Sequence, residues 1–263
     1  MTVRLQSPHP FAERWLLFGG AGAGKTNCVL ETIRHCAEGE MYVCEHDFSM
    51  AYVQALATDF ADVADRVHVV TPDPEWEPYT KGLAQVAAMG DERVDWFVVD
   101  SISPSWDMAQ DFHLQMVYGD DYATHMRKLR AEYKDDIKGF GAAKSENMNW
   151  PDVKKEYSKG VYRPIQRWHG NLIVTAEAKA VGNRDNPDVQ MEFGPIGYKP
   201  SGESRLMYVA ASNIYLAHPK RGLWTMTTTK NRNREELDKA EVGNFAIDFM
   251  QDIAGWERVK GAR

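Results

Sequence analysis

The chain has 263 residues, is 43% hydrophobic and 26% charged, and carries a formal net charge of −7, which suits one decorated α/β domain with a core large enough to fold without disulfides or metals. A protein that bound nucleic acid over its whole surface would be basic, so any such site here is a local patch. Three cysteines, Cys28, Cys36 and Cys44, with no CxxC pair, exclude a disulfide framework and a zinc site and fit a reducing compartment; with no apolar run of signal or membrane-span length, a cytoplasmic protein that avoids membranes is expected.

Residues 15–18 are a short apolar run ending in glycines, which predicts a buried strand. A helix follows over 26–36, ending near Gly39. The run 41–44 reads as a second strand, 50–60 as a helix, and 67–70 as a third strand closed by the turn Thr71-Pro72-Asp73-Pro74. A helix is expected over 83–89 and continuously apolar strands over 96–99 and 172–175. Such strands alternating with helices indicate a parallel sheet covered on both faces. Residues 103–150 break the rhythm and read as an insertion lying on the core, with a helix over 122–137 and a break at Gly139-Phe140-Gly141. Pro151 opens a helix running toward Trp168. The stretch 181–202 is polar and rich in Gly and Pro. Two late strands, 213–217 and 224–229, are expected as antiparallel neighbours, and Asn244 caps a last helix over 245–253. The expected organisation is a single domain over 15–254 with the insertion at about 103–150, an extension over 1–14 and a tail over 255–263.

Gly19-Gly20-Ala21-Gly22-Ala23-Gly24-Lys25-Thr26 matches GxxxxGK[ST] in full, between an apolar strand and a helix. Glycine lets such a loop turn its N–H groups inward around phosphate oxygens, and the helix N-terminus adds positive potential. Lys25 would reach the β- and γ-phosphates and Thr26 would ligate Mg²⁺. The run Trp96-Phe97-Val98-Val99-Asp100-Ser101 is a strand ending in an acid, and Asp100 would hold Mg²⁺ through water beside the loop. Glu45, after the strand 41–44, is the candidate to deprotonate the attacking water, with Asp47 as the local rival. Glu177, ending the strand that begins at 172, is the candidate sensor of the γ-phosphate. Lys220, Arg221, Lys230, Arg232 and Arg234 stand in one acid-free segment, 218–234, a local basic excess that suits a phosphate contact, to DNA or to nucleotide on a neighbouring subunit.

The order of these motifs resembles the RecA/Rad-type recombinase superfamily, and more narrowly the short RecA-like ATPases carried by bacteriophages, described as single-strand-annealing or recombination proteins. The resemblance covers roughly 15–234 apart from 103–150. It rests on the loop Gly19 to Thr26, on Glu45-His46 where that family places its catalytic glutamate, on Val98-Val99-Asp100-Ser101, and on Leu172 to Glu177. It rests also on Lys230-Asn231-Arg232, similar to a basic triplet that reaches toward a neighbour's γ-phosphate. The position of Glu177 usually carries Gln in that family. The resemblance implies a RecA-like core: a mostly parallel twisted sheet with helices on both faces and antiparallel strands at the C-terminal edge. It implies ATP and Mg²⁺ as ligands, hydrolysis with Glu45, Lys25, Glu177, Lys230 and Arg232 in the catalytic set, a homo-oligomer with nucleotide at subunit interfaces, single-stranded DNA as a partner, and the host cytoplasm as location for a phage protein. The expected role is DNA recombination or single-strand annealing. An oligomeric DNA motor of helicase or packaging type, and a nucleotide-dependent assembly or switch protein with little turnover, are the alternatives.

Overall fold

A computed structural model of the chain describes residues 3–7, 11–46, 50–90, 93–183, 185–231, 240–241 and 243–259. In chain order the strands are β1 (Leu5–Gln6), β2 (Arg14–Gly19), β3 (Met41–Glu45), β4 (Val67–Val70), β5 (Trp96–Asp100), β6 (Asn171–Ala180), β7 (Tyr198–Pro200), β8 (Ser212–Lys220), β9 (Leu223–Asn231), β10 (Ala240–Glu241) and β11 (Glu257–Arg258). The helices are α1 (Lys25–His35), α2 (Ala51–Ala57), α3 (Trp76–Val86), α4 (Ser105–Tyr118), α5 (Tyr122–Glu132), α6 (Ile137–Met148), α7 (Trp150–Tyr157), α8 (Arg163–Arg167) and α9 (Pro187–Phe193). None of the described helices is long and apolar enough to cross a membrane.

The main sheet runs β10-β9-β8-β2-β6-β5-β3-β4. Strands β8, β2, β6, β5, β3 and β4 are parallel, and β9 and β10 continue the edge antiparallel. Side chains alternate across it as a pleat requires. Trp15, Leu17, Val43, Val98 and Ile173 enter one core with α1 and α2, while Leu16, Phe18, Cys44, Val99 and Val174 enter the other with α3 and the helices from α4 to α9. Two dry faces explain why the central strands read as unbroken apolar runs. The segments flanking the sheet also pack onto it. β1 pairs antiparallel with β11, Leu5 opposite Arg258, and the Val259 amide donates to the Arg4 carbonyl at 3.0 Å. Glu13, buried, accepts from the Trp15 indole at 3.0 Å and the Trp256 indole at 3.2 Å.

Several boundaries differ from the sequence expectation, each for a local reason. The glycines at 139 and 141 lie inside α6 rather than in a break, because Asp136 caps that helix and accepts from the Gly139 amide at 2.8 Å. The helix expected over 122–137 accordingly stops at Glu132. Helix α2 is shorter than 50–60, stopping at Ala57, and a 3₁₀ turn over Ala61–Arg66 follows it. Helix α3 starts at Trp76, well before 83, and buries Trp76, Tyr79, Leu83 and Val86. The insertion is folded: Met108, Leu114, Met126, Leu129 and Met148 all join the second core. The polar stretch 181–202 carries α9, capped by Asn186 on the Val189 amide at 2.8 Å. Val189 and Phe193, one turn apart, bury its inner side. Strand β6 extends to Ala180 to pair with β7. The last helix is a π-helical turn over Ala246–Gln251, with the Asn244 side chain accepting from the Ile247 amide at 3.2 Å.

Candidate functional site

Strand β2 delivers the glycine loop to the C-terminal edge of the parallel strands, where α/β proteins bind ligands. Gly24, at φ 87°, ends the loop in a left-handed conformation that glycine enters freely, and it stands as the N-cap of α1 with no side chain on the first amides. At the other end of the loop, β2 and β8 approach so closely that a Cβ on Gly19 would lie 2.4 Å from the Leu216 carbonyl oxygen. The Lys25 ammonium folds back over the loop, donating to the Gly19 and Gly20 carbonyls at 3.0 and 3.1 Å. The first-turn amides of α1 and the Lys25 ammonium thus both stand at the loop, a combination that suits an anion.

Asp100 ends β5 two strands away and turns its carboxylate to this loop. Thr26 donates to its Oδ2 at 3.3 Å and Tyr52, from α2, donates to the same oxygen at 2.8 Å. Thr175, from β6, donates to Oδ1. The Asp100–Ser101 peptide is cis. The Asp100 carboxylate and Thr26 hydroxyl form a hard oxygen set that fits Mg²⁺, which takes one or two carboxylates and completes its shell with water and phosphate oxygens.

Glu45 lies on the next strand in register with Asp100. It is buried, its Oε2 accepts from the Thr71 hydroxyl at 3.2 Å, and the following amide, of His46, donates to the Asp100 carbonyl at 2.8 Å. The glycine loop, Asp100 and Glu45 thus share one edge. Glu177 joins them from β6, in register with Gly19, and it is exposed. Its amide donates to the Ser103 hydroxyl at 2.8 Å, that hydroxyl donates to the Ser201 carbonyl at 2.9 Å, and the Ser201 amide donates to the Glu177 carbonyl at 2.7 Å. This closed ring ties the end of β6 to the start of the insertion and to the strand returning from α9.

Lys230 stands apart. It pairs with Asn213, which is level with Leu16, three residues below Gly19 and so about 10 Å back along the strands. Its ammonium donates to the Met207 and Ala210 carbonyls at 2.8 and 2.9 Å, bracing a 3₁₀ turn of its own chain. Arg232 and Arg234, and Asp47, lie outside the described residues. Lys220 and Arg221 are exposed at the β8–β9 turn.

Tyr52 and Thr175 are missing from the sequence reading. Thr175 left one trace: a hydroxyl inside a dry strand needs a partner. Tyr52 left none beyond being the buried residue of α2.

Among solved structures, the crystal structure of the RadB recombinase shares the fold, with a TM-score of 0.50 and 15% identity over 88% of this chain and 87% of that chain. No family model and no curated protein matches the sequence. The RecA-like α/β architecture expected from the motifs is present in the strand order and helix layers, and at this identity the likeness is one of fold.

Proposed function

We propose that the protein binds and hydrolyses Mg²⁺-ATP as a RecA-like ATPase. One observation carries the reading: Thr26, at the head of α1, and Asp100, at the end of β5, meet at 3.3 Å beside a glycine loop whose lysine faces the same space. Structural acids and hydroxyls have no reason to gather at that loop, whereas a phosphate chain with its cation requires both. The loop amides and Lys25 hold the phosphates. Thr26 and, through water, Asp100 would hold Mg²⁺, and a bound Mg²⁺ would neutralise charge on the transferring phosphoryl group. Glu45, one strand beyond Asp100, takes the proton of the attacking water as its oxygen bonds to the γ-phosphorus and the bond to the β-phosphate oxygen breaks. Glu177 reads the γ-phosphate and passes its state through the serine ring to 181–202. The domain is one unit with its insertion, and the flanking strands β1 and β11 pack onto it.

The proposed role is recombination or annealing on single-stranded DNA, by an oligomer with nucleotide at its subunit interfaces. The fold shared with a recombinase and the exposed Lys220 and Arg221 support it; fold by itself does not fix function. Within that assembly Arg232 is the candidate to reach a neighbour's nucleotide, and Lys230 is a strut of its own chain.

The test is phosphate release from Mg²⁺-ATP, with and without single-stranded DNA, for the wild type, Lys25→Ala and Glu45→Gln. Turnover that DNA stimulates, that Lys25→Ala abolishes, and that Glu45→Gln lowers by about 10²- to 10⁴-fold with nucleotide binding retained is the expected outcome. Tight binding without turnover in the wild type replaces the ATPase with a nucleotide-dependent switch. Full activity in Glu45→Gln moves the base elsewhere.

A further inference from the structure

A groove of about 440 Å³ lies between the start of α3 and α4, on the face of the sheet that carries the insertion. Its floor is apolar: Trp76, Met108 and Phe112, with the Trp76 and Phe112 rings 6.3 Å apart between centroids. Met116, 70% exposed, carries the floor outward, and Val117 beside it is 55% exposed. Large apolar side chains left open beneath a polar rim mark a contact surface. The rim is acidic. Glu75 and Glu77 are exposed, and neither has an ion-pair partner among the described residues. Asp111 also lines the groove and accepts from the Tyr122 amide at 2.8 Å, while no Lys or Arg lines it. Carboxylates at a helix start have a local cause, the positive end of the helix dipole. The uncovered floor below them has none.

Toward the opposite end of the sheet, β8 and β9 run on as a hairpin. Leu216 is level with Gly19, and Lys220, still paired with Leu223, stands four residues further along, about 13 Å beyond that level. Lys220 and Arg221 form the tip, with Gly222 at φ 78° making the turn. Both cations are exposed, and neither meets a carboxylate among the described residues. Helix α3 packs on β3, four strand spacings from β8 and so about 19 Å across the sheet. A tip that projects along the strands does not reach that groove within one chain.

We propose that the groove receives the β8–β9 tip of a second copy of this chain. Lys220 and Arg221 lay their alkyl stems on Met108, Phe112 and Met116 and bring their charges to Glu75 and Glu77. A guanidinium over the Phe112 ring adds the attraction of a cation for an aromatic face. The two surfaces differ and lie toward opposite ends of one sheet, so the contact is heterologous. Each copy gives its tip to one neighbour and its groove to another, which builds a ring or a filament and not a two-fold dimer. The inference rests on the oligomer proposed above for there being a second copy, and it adds the surfaces that join the copies. Nucleotide takes no part in this contact, and Lys220 and Arg221 serve the assembly.

The experiment reads molar mass by sedimentation over a series of protein concentrations, with and without Mg²⁺-ATP. The proteins are the wild type, Glu75→Lys/Glu77→Lys and Lys220→Glu/Arg221→Glu. Either reversal alone sets like charges face to face and raises the dissociation constant of the assembly by about tenfold or more. Glu75→Gln/Glu77→Gln, which keeps the shape of the rim, shifts it in the same direction. Mixed in equal amounts, the two reversed variants assemble again, because the reversed groove of one takes the reversed tip of the other and the two native surfaces pair as well. A chain carrying all four reversals also assembles, which separates dissociation from misfolding. An oligomer whose mass no variant changes overturns this contact and leaves the oligomer reading standing. Dissociation of each variant with no recovery in the mixture overturns it too, since the two surfaces then do not face each other. Unchanged assembly of Lys220→Glu/Arg221→Glu with lost binding of a single-stranded oligonucleotide gives the tip to DNA and overturns it likewise. A wild type that stays monomeric under every condition overturns the oligomer reading itself.

Discussion

Three hydroxyls, on α1, α2 and β6, point at the single carboxylate of Asp100. A carboxylate offers about four acceptor positions, so three fixed donors leave it little freedom to rotate. Its orientation is set before any cation arrives. Thr175→Val keeps the shape of the strand and deletes one donor; the expected cost is about 1.5–3 kcal/mol, the range for hydrogen bonds to charged groups. A urea titration reads it, and an unchanged midpoint would mean that Oδ1 is satisfied without Thr175. The phosphate loop and Asp100 were legible in the sequence because each is a contiguous pattern with a fixed relation to a strand. Tyr52 and Thr175 reach Asp100 across 48 and 75 residues, and no local periodicity encodes a contact of that range. Lys230 shows the converse: a basic triplet is visible in sequence, but which carbonyls its ammonium will meet depends on a turn some 20 residues earlier.

Elements follow the sequence where the apolar period is long, and depart from it where one polar side chain sets an end. Strands β2, β3, β4 and β5 fall where their apolar runs lie. The helix over 122–137 starts where expected, behind the cap Asp121, but does not run to its expected end, because α6 begins at a new cap, Asp136, and glycine content is a poorer guide than the cap. The hairpin of β6 and β7 depends on a similar single group. Asp185 accepts from the Lys199 ammonium and from the Gly182 amide at 2.8 Å, and these hold its carboxyl below the usual carboxylate range. With its folded value lowered, the carboxylate contributes stability above about pH 4, the unfolded value, and that contribution is lost as pH falls through the lowered one. Asp185→Asn should therefore melt below the wild type at pH 6, with the gap narrowing as pH falls below about 4. A gap of constant size across that range would assign the effect to the amide contact instead of the charge.

Across the whole molecule, the alternation of dry strands and helices fixed the layers but not the strand order. Strand β2 sits between β6 and β8, partners roughly 160 to 200 residues away in sequence. Fold and candidate site were readable together because the glycine loop, Glu45 and Asp100 each end a strand and parallel strands end on one side. The cavity beside the loop was not, since it is assembled from α1, β8, β9 and the turn before Phe245. The flanks are part of the same unit. Glu13 is buried between two indole donors, and Trp256→Phe removes one of them; the expected loss is about 1–3 kcal/mol, read as a lower melting temperature, and no change would show that the carboxylate is satisfied without Trp256.

The pairing of β1 with β11 places residues 4 and 259 within one hydrogen bond of each other. A peptide of a few residues would join those positions and close the backbone into a ring. Cutting that ring at the exposed Gly119, between α4 and α5, leaves every strand pair, both cores and the phosphate loop untouched. Circular permutation is thus open to this fold: the order in which its strands emerge from the ribosome is separable from the architecture they make.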